Sequence, residues 1–448
     1  MLITNGTLIT WGAANQVIAN GAVFVEGGVI RDLGDTRSLE ANYPHAERLD
    51  ARGQYIMPGL ICAHTHFYGA YARGMAIPGA APRDFPEILR RLWWNLDKAL
   101  DLDAVRASAQ VCLVDAIRHG TTTLFDHHAS PNAVEGSLGV IADEIERAGL
   151  RAVLCYEVSD RDGLEIAQAG IEENLDFMHA HRSHTTLRGT FGLHASLSLS
   201  DSTLRQVAER LGNEDGVHIH VAEHEADEQD SLAQHGMRVI ERLNSFGLLR
   251  PQTILAHCVH IDEAERERIR ANGCWVTHQP RSNMNNAVGA MAFDAMMDAG
   301  MQVCIGNDGF SNAMWEEWKA AYFLHKTTHR DPRRANGAAV AQAGALHNAA
   351  LVSAAFGTPI GALAVGARAD IILVDYHPFT PLTSGNLPWH ILFGFEPSMV
   401  TTTICDGRVL MRDRVLLTLD EAEIARSALA LAPGVWSRYA TIAGTDLG

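Results

Sequence analysis

The chain carries its most reactive side chains at the ends of apolar runs. Gly59-Leu-Ile-Cys-Ala-His-Thr-His-Phe67 closes on two imidazoles. Residues two apart on a strand share one face, so His64 and His66 point the same way. Val217-His-Ile-His-Val-Ala-Glu223 sets His218 and His220 on one face, with Glu223 just past the strand. Two further runs end in Ala256-His-Cys-Val-His260 and Ile305-Gly-Asn-Asp-Gly309, bringing in His257 and Asp308. One His-x-His pair is ordinary polar decoration. Histidines or carboxylates closing four separate runs form the donor set of a shared metal site. Neutral imidazoles and a carboxylate bind a divalent ion at about 2.0–2.2 Å, and three or four such ligands suit Zn²⁺ or Fe²⁺. His218, His260 and His278 fit no ligand position and read as structural.

Such a site requires the runs to meet at one end. Eight strand-like runs follow Tyr55: Ile56–His66, Thr121–Asp126, Arg151–Tyr156, Thr190–His194, Val217–Glu223, Thr253–His257, Trp275–His278 and Val303–Asp308. Between them lie stretches with helical spacing, such as Leu102–His119, Ser137–Ala148, Ser202–Leu211 and Asp262–Ala271. Eight strand–helix units predict a closed parallel (β/α)8 TIM barrel, an α/β fold whose strands are buried on both faces and whose chemistry sits at the strand C-termini. The first 50 residues read instead as short strands, with hairpin signals at Asn-Gly and Gly-Gly. Strand character returns after residue 361, where Asp406-Gly407 divides Val400–Cys405 from Arg408–Met411. The two ends are expected to pair into one small β-sandwich domain, residues 1–57 plus 361–448, with a barrel of residues 58–360 inserted between them.

Composition narrows the partners. The formal net charge is −17, which argues against nucleic acid and against anionic membranes. Seven scattered cysteines without Cys-x-x-Cys read as reduced core residues of a cytoplasmic protein. No basic segment followed by an apolar one opens the chain, and no run of about 18 apolar residues predicts a membrane span.

In that order on those strands, His64-Thr-His66, His220 with Glu223, His257 and Asp308 resemble the amidohydrolase superfamily. The branch is the one containing cytosine, guanine, 8-oxoguanine and methylthioadenosine deaminases and triazine hydrolases. Ala63-His-Thr-His-Phe-Tyr68, Leu92-Trp-Trp94, Asp126-His-His-Ala-Ser-Pro131 and Gly306-Asn-Asp-Gly-Phe-Ser-Asn312 are similar to SsnA-type aminohydrolases. The resemblance implies His64, His66, His220 and Asp308 as metal ligands. It places His257 beside the attacking water, steadying the oxygen as the carbon becomes tetrahedral, and makes Glu223 the proton shuttle. It also suggests a dimer or higher homo-oligomer. Some superfamily members bridge two metals with a carbamylated lysine, but this chain has no lysine between Lys98 and Lys319, so one ion, Zn²⁺ ahead of Fe²⁺, is expected. The His-x-Glu and Pro-Cys-x-x-Cys pattern of the other zinc deaminases is absent.

The expected reaction is hydrolytic deamination of an amino-substituted purine or pyrimidine-like ring. The alternative is hydrolysis of a cyclic amide, an amidine or a non-amine ring substituent at the same site. His128 and His194, closing the second and fourth runs, are candidates to bind the heterocycle. His127 and His128 alternate, and only the resemblance favours His128. Trp93 is a candidate stacking wall, and Arg281 is either a partner for an exocyclic oxygen or an outward salt-bridge partner, the second being favoured. Two departures from relatives stand out: Gln279-Pro280 where Asn-Pro is common, and Asn307 directly before Asp308.

Overall fold

The computed structural model describes residues 1–12, 14–75, 77 and 79–444. Eight parallel strands form the barrel: β1 (Leu60–Thr65), β2 (Thr121–His128), β3 (Arg151–Tyr156), β4 (Phe191–Ala195), β5 (Val217–Val221), β6 (Ile254–His257), β7 (Trp275–His278) and β8 (Gln302–Ile305). Every predicted run contributes a strand. β1 to β3 pair in order, as do β4 to β8. Two seams close the ring. Val158 bridges to Leu193 between β3 and β4, and Thr65 bridges to Asp308 between β1 and the end of β8. The helices Leu102–His119 and Ser137–Ala148 match their predicted bounds.

The first run divides. Tyr55–Pro58 joins a different sheet, and the barrel strand starts at Leu60. Gly59 is the crossing point: a Cβ there would lie 2.3 Å from Thr122 Oγ1, so only glycine lets the chain pass.

Strands from both chain ends form one nine-stranded hydrogen-bonded sheet. Its path runs 415–416, 408–412, 400–405, 371–374, 55–58, 2–9, 17–26 and 29–35, with 48–50 beside 2–9. Ile3, Leu8, Val23, Ile30, Ile56, Ile371 and Ile404 form its own apolar cluster. The Asn-Gly pairs are not hairpin turns. Asn5-Gly6 and Asn20-Gly21 lie inside strands, with Asn5 at φ 56° and Asn20 at φ 50° and register shifts on either side of Gly6. The left-handed conformation that makes a tight turn also makes a bulge. Gly27-Gly28 and Asp406-Gly407 are the turns.

The last helix, Glu421–Ala443, stands apart from the sheet. It lies along Leu102–His119 and the segment before it. Trp436 Nε1 donates to Tyr71 O at 3.0 Å, Tyr439 Oη to Arg91 O at 2.5 Å, and Arg438 Nε to Ala99 O at 2.6 Å. One helical stretch, Gly337–Phe356, has the length and mean hydropathy of a membrane span, although Gln342, His347, Asn348 and Ser353 interrupt its apolar residues. Here its Leu351, Val352 and Phe356 pack against Ile61, Phe125 and Val153 of the barrel, the position of a core helix.

Candidate metal centre and substrate cavity

The β1–β8 seam assembles the site. His66 N donates to Asp308 O at 2.7 Å and Asp308 N donates to His64 O at 3.1 Å, so closing the barrel brings the carboxylate to the two histidines. Gly306 allows this approach, since a Cβ would meet His64 O at 2.6 Å. Asp308 is held at φ 63° and His257 at φ 71°. Non-glycine residues in that region cost free energy, and they concentrate where the surroundings force a side chain into one direction.

Each imidazole is anchored through Nδ1. His66 Nδ1 donates to His127 O at 2.6 Å, and His220 Nδ1 donates to His194 O at 2.8 Å. His64 Nδ1 pairs with His218 Nε2 at 2.8 Å. This fixes the tautomers and turns the three Nε2 atoms inward. His66 Nε2 lies 3.1 Å from His220 Nε2 and 3.0 Å from Asp308 Oδ1, which is 3.2 Å from His64 Nε2. Ligand atoms arranged tetrahedrally at zinc distances stand about 3.4 Å apart, so this spacing is that of donors around one point. His257 belongs to the same cluster: donor atoms of His64, His220, His257 and Asp308 all lie within 4.8 Å of one another.

The donor set fits a cation. Burial pushes His64 down to about 3 and His220 well below the usual imidazole range, so both present lone pairs. Burial is the largest single influence on His66 and pulls it down, but the hydrogen bond and charge of Asp308, the Glu157 charge and the His127 carbonyl together lift it to about 9. Burial pushes Asp308 up, yet its contacts with His64 and His66 hold it well below the carboxylate range. Its other oxygen, Oδ2, accepts from Ser282 Oγ at 2.5 Å.

Beside this centre, His257 Nδ1 donates to Asn283 Oδ1 at 2.9 Å, and Gln279 Oε1 accepts from His257 N at 3.1 Å. His257 Nε2 is buried with no hydrogen-bond partner and stands 3.6 Å from Glu223 Oε2. The Gln279 departure thus braces the strained His257 backbone. Asn307 turns away from Asp308: its Nδ2 donates to Asn312 Oδ1 at 2.8 Å and Ser311 O at 3.2 Å. Glu223 Oε1 accepts from Asn286 Nδ2 at 3.3 Å. Burial first, then the Asp308 charge, drive the Glu223 carboxyl well above its ordinary range.

These groups floor a cavity of about 240 Å³. Tyr68, Phe85, Leu89, Trp93 and Trp94 supply an apolar wall, while Glu157, His194, Glu223 and Asp308 supply polar atoms. Of the candidate substrate contacts, Trp93 and His194 line this cavity. His128 and Arg281 do not line the cavity. His128 is fully buried, donates through Nε2 to Ser130 Oγ at 2.8 Å and packs near Tyr68 and Tyr156. Its neighbour His127 faces inward, 4.8 Å from the His220 ring centroid. Arg281 is bound to Glu317, Glu316 and Ser311 at 2.5, 2.7 and 3.0 Å, which occupies its donors. Sequence reasoning missed Glu157, although it directly follows the apolar run of β3 and the strand-end criterion applies to it. His218 was read as merely structural and proves to hold the His64 ring.

The profile of the amidohydrolase family matches residues 55–410. This chain belongs to the amidohydrolase family. The amidohydrolase is 30% identical over 438 residues to a 5-methylthioadenosine/S-adenosylhomocysteine deaminase of Haloarcula marismortui, covering 96% of each chain. It is 28% identical over 435 residues to a 5'-deoxyadenosine deaminase of Methanosarcina barkeri, again with 96% of each covered. Its fold is that of an adenosine deaminase from Xanthomonas campestris solved with bound zinc, at TM-score 0.86 and 24% identity over 97% of this chain and 98% of that one. Escherichia coli guanine deaminase superposes at TM-score 0.79 and 17% identity, covering 92% of this amidohydrolase and 99% of its own chain.

Proposed function

We propose that this amidohydrolase is a metal-dependent hydrolytic deaminase that releases ammonia from an amino-substituted N-heterocycle. The observation that carries the reading is that Glu223 and Asp308 both open onto the floor of an aromatic-walled cavity, burial raising the first carboxyl and the contacts with His64 and His66 lowering the second. Relatives named as deaminases of adenosine derivatives support it over most of the chain length. His64, His66, His220 and Asp308 would hold one divalent ion, with zinc favoured by the nitrogen-rich donor set. When bound, such an ion supplies Lewis acidity, so that water in contact with it gives up a proton near pH 7 rather than at about 15.7.

The chain's own groups then divide the proton work. Asp308, ionised and steadied by Ser282, accepts the proton released as water attacks the carbon bearing the amine. Glu223 delivers its proton to the adjacent ring nitrogen, which makes that carbon a better electrophile. Asp308 passes its proton to the departing amine and the hydroxyl proton of the tetrahedral carbon returns to Glu223, so the ring keeps its new N–H, gains a carbonyl oxygen and loses ammonia with no net change in the protein. His257 has a role different from the one the resemblance implies. Its Nδ1–H is committed to Asn283, so the neutral ring offers Nε2 as an acceptor and steers the water rather than donating to the developing oxygen. The Trp93 and Trp94 wall excludes water and stacks the ring.

The test is ammonia release by metal-replete enzyme across aminopurines, aminopyrimidines and aminotriazines. Substrate consumption without ammonia would replace this reading with hydrolysis of a ring amide or another substituent.

A further inference from the structure

Glu157 has no part in the chemistry above, yet it is a buried carboxylate opening onto the cavity. It follows β3 and is gripped from one side only: His127 Nδ1 lies 3.2 Å from Oε2. Among the described residues, no hydrogen bond reaches Oε1. That oxygen stands 3.8 Å from His194 Nε2, which also faces the cavity. The His194 tautomer follows from its partner. Ser198 Oγ donates to Ala195 O at 3.1 Å, so it must accept from His194 Nδ1–H at 2.6 Å. His194 Nε2 therefore carries a lone pair. Two acceptors thus stand side by side at a cavity wall with no donor between them.

Glu157 also falls into a second group of possible metal donors, with His66, His127 and His220. Occupation of that group would draw on His66 and His220, whose inward lone pairs already face His64 and Asp308, and one lone pair serves one cation. His127 is further committed, donating through Nε2 to His218 O at 3.0 Å. The carboxylate is left for the substrate.

We propose that Glu157 Oε1 and His194 Nε2 form a paired-acceptor clamp that selects heterocycles presenting ring N–H groups, namely amino-substituted lactams or ureides. The inference rests on the deaminase reading and names its substrate class. An adenosine-type ring has only lone-pair nitrogens apart from its reacting amine, and these are repelled by both acceptors. A lactam or ureide edge carries N–H groups that diverge toward acceptors a few ångströms apart. A buried site built to receive an N–H discriminates sharply against an analogue that lacks one.

The test uses zinc-loaded full-length enzyme with guanine and isocytosine, the ring-N-methyl derivatives of each, and adenosine. Ammonia release by the wild type should fall at least tenfold in kcat/KM for one or more N-methyl derivatives and for adenosine. Glu157→Gln, at unchanged zinc content and thermal midpoint, should lose about 10- to 100-fold on the N–H rings. It should leave adenosine and the methylated rings unchanged or improved, a crossover that general damage does not produce. Wild-type activity on adenosine or on all methylated rings equal to that on the parent bases overturns the clamp. If no compound releases ammonia, the deaminase reading fails by itself, and calorimetric binding of xanthine and uracil decides the clamp. Tenfold weaker binding to Glu157→Gln, or to its companion Glu157→Met, sustains the clamp; equal binding, or none to the wild type, overturns it.

Discussion

Replacing Glu223 with glutamine changes little except a proton. The amide has the size of the carboxyl and keeps an oxygen for Asn286 Nδ2, now 3.3 Å away. The candidate ligands His64, His66, His220 and Asp308 are untouched, since Glu223 bonds to Asn286 and approaches only His257, at 3.6 Å. The ability to give a proton to the ring nitrogen is lost, and a general acid of this kind contributes about 10²–10⁴-fold. At about 1.4 kcal/mol per decade this is roughly 3 to 5 kcal/mol of transition-state stabilisation. The loss should appear in kcat, with KM nearly constant, because the proton moves only as the ring is attacked. The pH profile adds a second signature. The Glu223 pKa is raised, chiefly by burial, and its working form is protonated. Wild-type activity must therefore fall as pH rises through that elevated value, and the glutamine variant must lack this alkaline limb. Steady-state ammonia release between pH 5 and 10, paired with elemental analysis for metal, measures both. A metal-replete Glu223→Gln enzyme with near-normal turnover, or with the alkaline limb intact, would refute the assignment.

Other expectations follow from the same geometry. His218→Phe removes the ring that holds His64 Nδ1 at 2.8 Å, so metal affinity in chelator competition should weaken about 10- to 100-fold. Asp308→Asn loses the charge that balances the cluster, and the metal content of the purified protein should drop. Trp93→Ala opens the apolar wall and should raise KM more than it lowers kcat, since stacking is present before the reaction begins. Asp370→Ala removes the buried carboxylate 3.1 Å from Nε of the fully buried Arg151 and leaves it only the partly exposed Asp406, at 3.3 Å. Chemical denaturation should show a loss of about 3–5 kcal/mol without loss of metal.

The convergence of the candidate donors was legible because two simple rules agree on it. A strand alternates its faces, and a parallel barrel collects its chemistry at one end, so residues from four distant runs could be placed together without coordinates. The same rules left His127 and His128 unresolved, because alternation fixes that the two oppose each other but not which one faces inward. Coordinates place His127 against His66 and His220. Arg281 stood open between a substrate contact and a salt-bridge partner, the second being the reading favoured in sequence and the one its ion pairs match. Its sequence position is that of a pocket residue, but Glu316 and Glu317 come from a helix 35 residues onward, and no local pattern predicts that pairing. Asn5-Gly6 and Asn20-Gly21 were legible as left-handed backbone but not as bulges rather than turns, since that choice depends on the partner strand.

The helix Glu421–Ala443 ties a segment 348 residues further along the chain to the wall of the cavity. Tyr439 fastens to Arg91, two residues before Trp93, and Trp436 to Tyr71, three residues after Tyr68. The aromatic face that a substrate meets is thus finished only when this helix has docked. A nascent molecule could have all its metal donors in place and still lack a properly shaped entrance, so capacity to hold the ion and capacity to hold the substrate would be acquired at different moments of its synthesis.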